Sequence, residues 1–181
     1  MKAPKLKKCK VCKGEFIPAR SLQMYCSFEC ALIQRNLDNK KAWQKEKKVI
    51  KEKLKTHSDW LNELQVVFNQ YIRARDKGRP CVSCDKPITD GGNASHFFAV
   101  GSHPGLRFDE LNCHLSCIHC NKHLHGNLAE YRIRLPFRIG GIPFIKMEER
   151  RHQSVKMTIT EIKDKIMEYK DKIKELKIGG F

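Results

Sequence analysis

Cys81-Val-Ser-Cys84 and Cys117-Ile-His-Cys120-Asn121-Lys-His123 bracket the stretch from which the rest of the chain can be read. Two cysteines on one tight knuckle offer a pair of thiolates to a tetrahedral Zn²⁺, and two such pairs complete a four-sulfur site. Between them, Thr89-Asp-Gly-Gly-Asn-Ala-Ser-His-Phe-Phe-Ala-Val100 reads as a Gly-rich turn leading into a short strand that carries His96. The segment Leu106 to Cys117 brings a second strand, and Cys117 to Asn127 closes the zinc pair and starts a helix. Strand, strand and helix stapled by one four-thiolate site make a small metal-bracketed unit.

The same chemistry is expected a second time. Cys9-x2-Cys12 and Cys26-x3-Cys30 supply four more thiolates within residues 1–32, with Gly14 and Pro18 between them and Ser27 placed to cap a helix. This module has little apolar core, so the metal would have to supply most of its folding energy. Disulfides are the competing reading, but they belong to exported chains. The Lys-rich start here is followed by no apolar signal segment. Two structural zincs are therefore expected, and Cys113, the ninth cysteine, reads as a small buried apolar residue.

The 181 residues suffice for one ordinary domain and a small satellite. Lys and Arg outnumber Asp and Glu by 36 to 20, a net charge of +16, so the expected partner is a polyanion, most commonly nucleic acid. No apolar stretch reaches the roughly 18–20 residues of a membrane span, which excludes an integral helical membrane protein and leaves the cytoplasm as the expected location. Residues 33–57 read as a basic helix without Gly or Pro; Lys40, Lys41, Lys45, Lys47 and Lys48 fit both a solvated connector and an arm laid along phosphates. From Ser58 to about Lys77, Trp60, Leu61, Leu64, Val67, Phe68, Tyr71 and Ile72 recur at helical spacing as one core face of a 58–152 domain.

Within 153–181, Thr158-x-x-Glu161 is a capping box. Ile162, Ile166, Tyr169, Ile173 and Leu176 follow as a short heptad seam. That seam can pack on the 58–77 helix or join two copies into a homodimer, which would suit cutting both strands of a pseudo-symmetric substrate. The fold class is thus α+β, mostly helical, around a metal-stapled centre.

The polar content of that centre is dense. His96, Asn112, His114, Asn121 and His123 crowd two short strands and a helix start, whereas His103, His119 and His125 read as loop or surface. A neutral imidazole near a metal-coordinating carboxamide suits phosphodiester hydrolysis: the imidazole takes a proton from water while a divalent cation stabilises charge on phosphate and leaving oxygen. Arg107 and Arg132 are candidates for phosphate contacts, with a salt bridge as the alternative at each.

The order Cys-x2-Cys, His96, Asn112, Cys-x2-Cys-Asn121-x-His123 resembles the zinc-stapled His-Asn-His (HNH), or ββα-metal, endonucleases. More narrowly, the resemblance is to the phage NinG (Rap) family of recombination endonucleases. It rests on Cys81-x-Ser-Cys84, Leu106-Arg-Phe-x-Glu-x-Asn-x-His114, Cys117-x-x-Cys120-Asn-x-His123 and Gly126-Asn-Leu-x-x-Tyr-Arg132. The resemblance implies a ββα-metal unit and Mg²⁺- or Mn²⁺-dependent cutting of branched DNA such as Holliday junctions and D-loops. By the same resemblance His96 is the general base and Asn121 a metal ligand. His123 is a second ligand or phosphate contact, and Asn112 pins the loop. One position departs from the HNH pattern: Ser95 stands where many members carry a metal-binding Asp, and a hydroxyl is a poor ligand for a hard cation. Either the ion rests on Asn121, water, phosphate and another His, which is the preferred assignment, or His96 is the ligand and His114 the base.

Overall fold

In a computed structural model, which describes residues 5–89 and 91–179, the chain divides into two compact units, residues 1–55 and 56–181. The first contains a two-stranded antiparallel ribbon of β1 (Lys7–Lys8) and β2 (Glu15–Phe16), followed by the long helix α1 (Phe28–Lys53). Ser27 caps α1 as its sequence position suggests: its side chain accepts from the Cys30 N–H at 3.2 Å. The helix is continuous, so the boundary expected near residue 32 falls inside it. From Arg35 to Leu54 every side chain is exposed, which is the pattern of a solvated basic helix.

The second unit contains α2 (His57–Arg75), the hairpin β3 (Asn93–His96) and β4 (Cys113–Ser116), α3 (Leu128–Ile139), α4 (Gly141–Glu149) and α5 (Ile159–Ile178). Helix α2 begins one turn-position earlier than Ser58. Thr56 is the cap, its hydroxyl accepting from Asp59 N–H at 3.2 Å while Asp59 Oδ2 accepts from Thr56 N–H at 2.8 Å. The Thr158/Glu161 capping box of α5 forms as expected.

The α5 seam packs within the chain. Ile162, Ile166 and Tyr169 are buried in one core with Trp60, Leu64, Phe68 and Ile72 of α2, and Ile173 and Leu176 pack against it. The surface expected to serve either this packing or a homodimer is therefore covered by α2, and α5 belongs to the same unit as the hairpin rather than forming a separate 153–181 element.

The β3–β4 hairpin lies between two cores. Its register pairs Asn93 with Ser116, Ala94 with Leu115, Ser95 with His114 and His96 with Cys113. Alternation along the strand turns Ala94, His96 and Cys113 toward α2: Cys113 and Ala94 join the α2–α5 core, and the His96 ring lies 6.1 Å from Phe68. The opposite face meets α3, whose Tyr131 donates its hydroxyl to Ser95 O at 3.0 Å. Phe97, Tyr131, Leu135, Phe144 and Met147 form the second core.

The helix expected to start at Cys117 is shorter than its sequence suggests. Only a single π-type turn, His119–His123, forms there. His125, Gly126 and Asn127 then have φ values of 48°, 95° and 48°, a left-handed run that a right-handed helix cannot continue, and α3 starts afresh at Leu128. No helix among the described residues is long and apolar enough to cross a membrane.

Candidate functional site

Cys81, Cys84, Cys117 and Cys120 converge so that their sulfurs all lie within 4.8 Å of one another. A tetrahedral ion with metal–sulfur bonds near 2.3 Å needs sulfurs about 3.8 Å apart; Cys84 and Cys117 stand at 3.9 Å. The Cys117 N–H donates to Cys81 Sγ at 3.3 Å and the Cys120 N–H to Cys117 Sγ at 3.4 Å, which orients the sulfurs inward. Cys9, Cys12, Cys26 and Cys30 form the second such group, with 3.5 Å between Cys12 and Cys26 and 3.6 Å between Cys26 and Cys30. All nine cysteines are free rather than disulfide-bonded. Both clusters could hold a metal ion, and the all-sulfur donor set is consistent with structural zinc. Cys113 joins neither: it is fully buried in the α2–α5 core, and burial pushes its thiol pKa up.

The five polar residues of the centre separate into different settings. Asn112 is fully buried and pins the loop after β3: its Oδ1 accepts from Phe98 N–H at 2.7 Å, and its Nδ2 donates to Phe98 O at 3.1 Å and Leu106 O at 3.0 Å. It has no capacity left for substrate. His114 is also buried, with Nε2 donating to Leu111 O at 3.1 Å. Its Nδ1 lies 3.0 Å from Arg75 Nη2 and 3.6 Å from Asp76 Oδ2. Burial pushes this imidazole's pKa down, so the ring is neutral and Nδ1 accepts the Arg75 proton. A histidine with both nitrogens engaged in the interior is not placed to act as a base.

His96 is half-buried. Its Nε2 donates to Arg107 O at 2.9 Å, which puts the lone pair on Nδ1, 3.8 Å from Cys113 Sγ. Burial, ahead of the raising effect of the Arg107 carbonyl, lowers its pKa. Asn121, directly after the last cluster cysteine, lines a polar cavity of about 330 Å³ together with Ala94. Ala94 shares a strand face with His96 two residues on, about 7 Å along the strand. Asn93, whose side chain leaves the opposite strand face, lines the cavity as well, and His96 does not, so the cavity sits at the edge of the hairpin beside Ala94. His123 is exposed on the π-type turn, its ring 5.8 Å from that of His119, and does not line this cavity.

Of the cationic candidates, Lys40, Lys41, Lys45, Lys47 and Lys48 are all exposed on α1. Arg107 is engaged, its Nε donating to Gln65 Oε1 at 2.8 Å and its guanidinium 5.1 Å from the Phe108 ring. Arg132 forms an ion pair with Glu148 at 2.8 Å and lies over Phe144. Arg132 thus takes the salt-bridge alternative, while Arg107 is held by a neutral amide.

A network that sequence reasoning missed holds the hairpin to α2. Asp76, 1% exposed, takes a two-pronged contact from Arg75 (2.8 and 2.9 Å) and accepts from Leu115 N–H at 2.9 Å. Arg75 also donates to Glu110 O and Cys113 O, each at 2.9 Å. Burial alone would raise the Asp76 pKa, but the Arg75 guanidinium and the Leu115 N–H hold it well below the usual carboxylate range. Its stabilising contribution is present above the ordinary carboxylate pKa of about 4 and is lost only as pH falls far below it. Replacing Asp76 by Ala leaves Arg75 buried without its partner and should cost about 3–5 kcal/mol in denaturant unfolding. An Arg75→Met/Asp76→Leu pair should cost less than the single change.

Fold and site together define a helix-rich chain with two small antiparallel ribbons and two four-thiolate clusters able to bind metal. The family model described as Bacteriophage Lambda NinG protein matches residues 1–178, and the chain belongs to that family. It is 36% identical over 185 residues to Protein ninG of Escherichia phage 933W, covering 91% of this chain and 92% of the relative. To Protein ninG of Escherichia phage lambda it is 36% identical over 185 residues, with 90% and 89% covered. To that of Salmonella phage P22 it is 36% identical over 162 residues, with 78% and 80% covered. No solved structure matches the chain.

Proposed function

We propose that this protein is a divalent-metal-dependent endonuclease that cuts branched DNA, with residues 81–127 acting as an HNH-type ββα-metal unit. The observation that carries this reading is the position of Asn121. A four-thiolate cluster holds the open end of a two-stranded hairpin, and the residue following its last cysteine lines a cavity beside Ala94, two residues before His96 on β3. The high positive charge supports a nucleic-acid substrate.

In this reading the neutral His96 imidazole, held as the Nε2–H tautomer by Arg107 O, takes a proton from water at Nδ1. The Asn121 carboxamide oxygen is the protein ligand offered to a catalytic Mg²⁺ or Mn²⁺. Such an ion keeps most of its coordination for water and phosphate, which suits a site with a single amide oxygen and Ser95 in place of a carboxylate. When bound it would stabilise the charge developing on the phosphate and the leaving oxygen. Asn112 and His114 hold the loop and the strand in place. Lys40, Lys41, Lys45, Lys47 and Lys48 along α1 supply backbone contacts, so selectivity follows DNA shape rather than base sequence.

Incubating pure protein with linear, forked and four-way DNA of equal length, with and without Mg²⁺ or Mn²⁺, tests this directly. Metal-dependent cutting of the four-way and forked forms well above the linear form is the expected result. Tight binding to all three without cutting would make the protein a zinc-containing DNA-binding module instead. Equal cutting of all three would point to a sequence-specific HNH enzyme.

A further inference from the structure

Two cavities of about 330 Å³ each flank the C-terminal half of α2, and both are lined by Arg73. One, next to the hairpin, adds Gln70, Asn93 and Lys122 around Asn121. The other, beyond Arg73, adds Lys77 and Arg79 above an apolar floor that includes Ile88 and Leu115. Among the described residues neither cavity is lined by an acidic side chain. Elsewhere in the unit Arg75, Arg132, Arg134, Arg150 and Lys172 are ion-paired. Arg73, Lys77, Arg79 and Lys122 form no side-chain ion pair or hydrogen bond with the described residues.

From this we infer that the two cavities form one continuous track for a nucleic-acid strand. It leads away from the His96 face of the hairpin, past Lys122 and Arg73, to Lys77 and Arg79. Four unpaired cations along a groove without facing acids fit the regular phosphates of a backbone better than a single small anion. The apolar floor gives sugar or base faces a surface to rest on. The inference rests on the nucleic-acid reading above and adds where a strand runs beyond the reacting phosphate.

The test is the salt dependence of binding by an Arg73→Gln/Lys77→Gln/Lys122→Gln triple variant. Fluorescence anisotropy of a fluorescein-labelled four-way junction, without added divalent ion and at stepped KCl, gives both affinity and slope. Each lost phosphate contact lowers the log–log salt slope by about 0.7–0.9, so the triple variant should lose about 2 from the slope and at least about tenfold in affinity at 0.1 M salt. A Lys146→Gln/Lys156→Gln/Lys170→Gln variant removes equal charge from exposed sites elsewhere on the same unit and should retain the wild-type slope. An unchanged slope in the groove variant, or an equal loss in the control, overturns the track. Failure of the endonuclease reading looks different: wild-type protein binds with a slope that depends on the groove residues, yet cuts nothing with Mg²⁺ or Mn²⁺. Wild-type protein that binds no DNA overturns both.

Discussion

Replacing Cys120 by Ser should abolish the cooperative unfolding of the 56–181 unit and remove one of two bound metal equivalents. Cys120 is 1% exposed, and its cluster joins a knuckle that follows α2 to the turn after β4. The hairpin between these points has only four residues per strand, and an isolated ribbon of that length is marginal in water. In small zinc modules the metal is worth an apparent 10–16 kcal/mol at neutral pH, comparable with or above the whole stability of a typical domain, about 5–15 kcal/mol. The α2 and α3 contacts will retain some helix, so far-ultraviolet dichroism should fall only in part. Amide exchange protection should disappear at Phe97, whose N–H donates to Asn112 O, and at Leu115, whose N–H donates to Asp76 Oδ2. Cys9→Ser should also lose one metal equivalent, but it draws on a cluster wholly within residues 1–55 and should leave that protection intact. A Cys120→Ser protein that still holds two metals and melts cooperatively would show that the cluster is not a metal site.

Where the fold was legible, short-range chemistry decided it. Ser27, the Thr158/Glu161 box and the Cys-x2-Cys knuckles act over three or four residues, and each is found as its local spacing implies. The α5 seam was visible as a stripe, but a stripe does not state its partner; α2 carries the complementary one. The break at His125 to Asn127 was hidden because two of its three left-handed residues are not glycine and only the tertiary setting holds them there. The Arg75–Asp76 network was hidden for a related reason: adjacent opposite charges at a helix end look like surface, and their burial depends on a strand some forty residues away. That network also explains why His114, a reasonable second base by sequence, is neutral and engaged. Asn112 makes three hydrogen bonds to the loop backbone, partners that its position in the sequence could not name.

His96 is where the proposed chemistry is most exposed to test. On the proposed hydrolytic role, His96→Ala should lower single-turnover cleavage of a four-way junction by about 10²–10⁴-fold, the usual contribution of a general base. Junction affinity should stay close to wild type, because the imidazole is neutral and contributes no charge to phosphate binding. The Ala change also removes a ring packed near Phe68 and the hydrogen bond to Arg107 O, so His96→Gln is the sharper variant. Its amide nitrogen can still donate to that carbonyl but offers no basic lone pair, and it should restore folding without restoring cleavage. The pH profile supplies an independent reading. Burial lowers the His96 pKa, so the base-competent neutral form persists to lower pH than an exposed imidazole of pKa about 6.5 would allow. Wild-type cleavage should therefore be flat through neutrality and fall on an acid limb whose midpoint lies below that value, and the limb should vanish in the residual activity of His96→Gln. If the Gln variant cut with wild-type rate and kept the same acid limb, the proton would be leaving through another group, and the assignment of His96 would have to be abandoned.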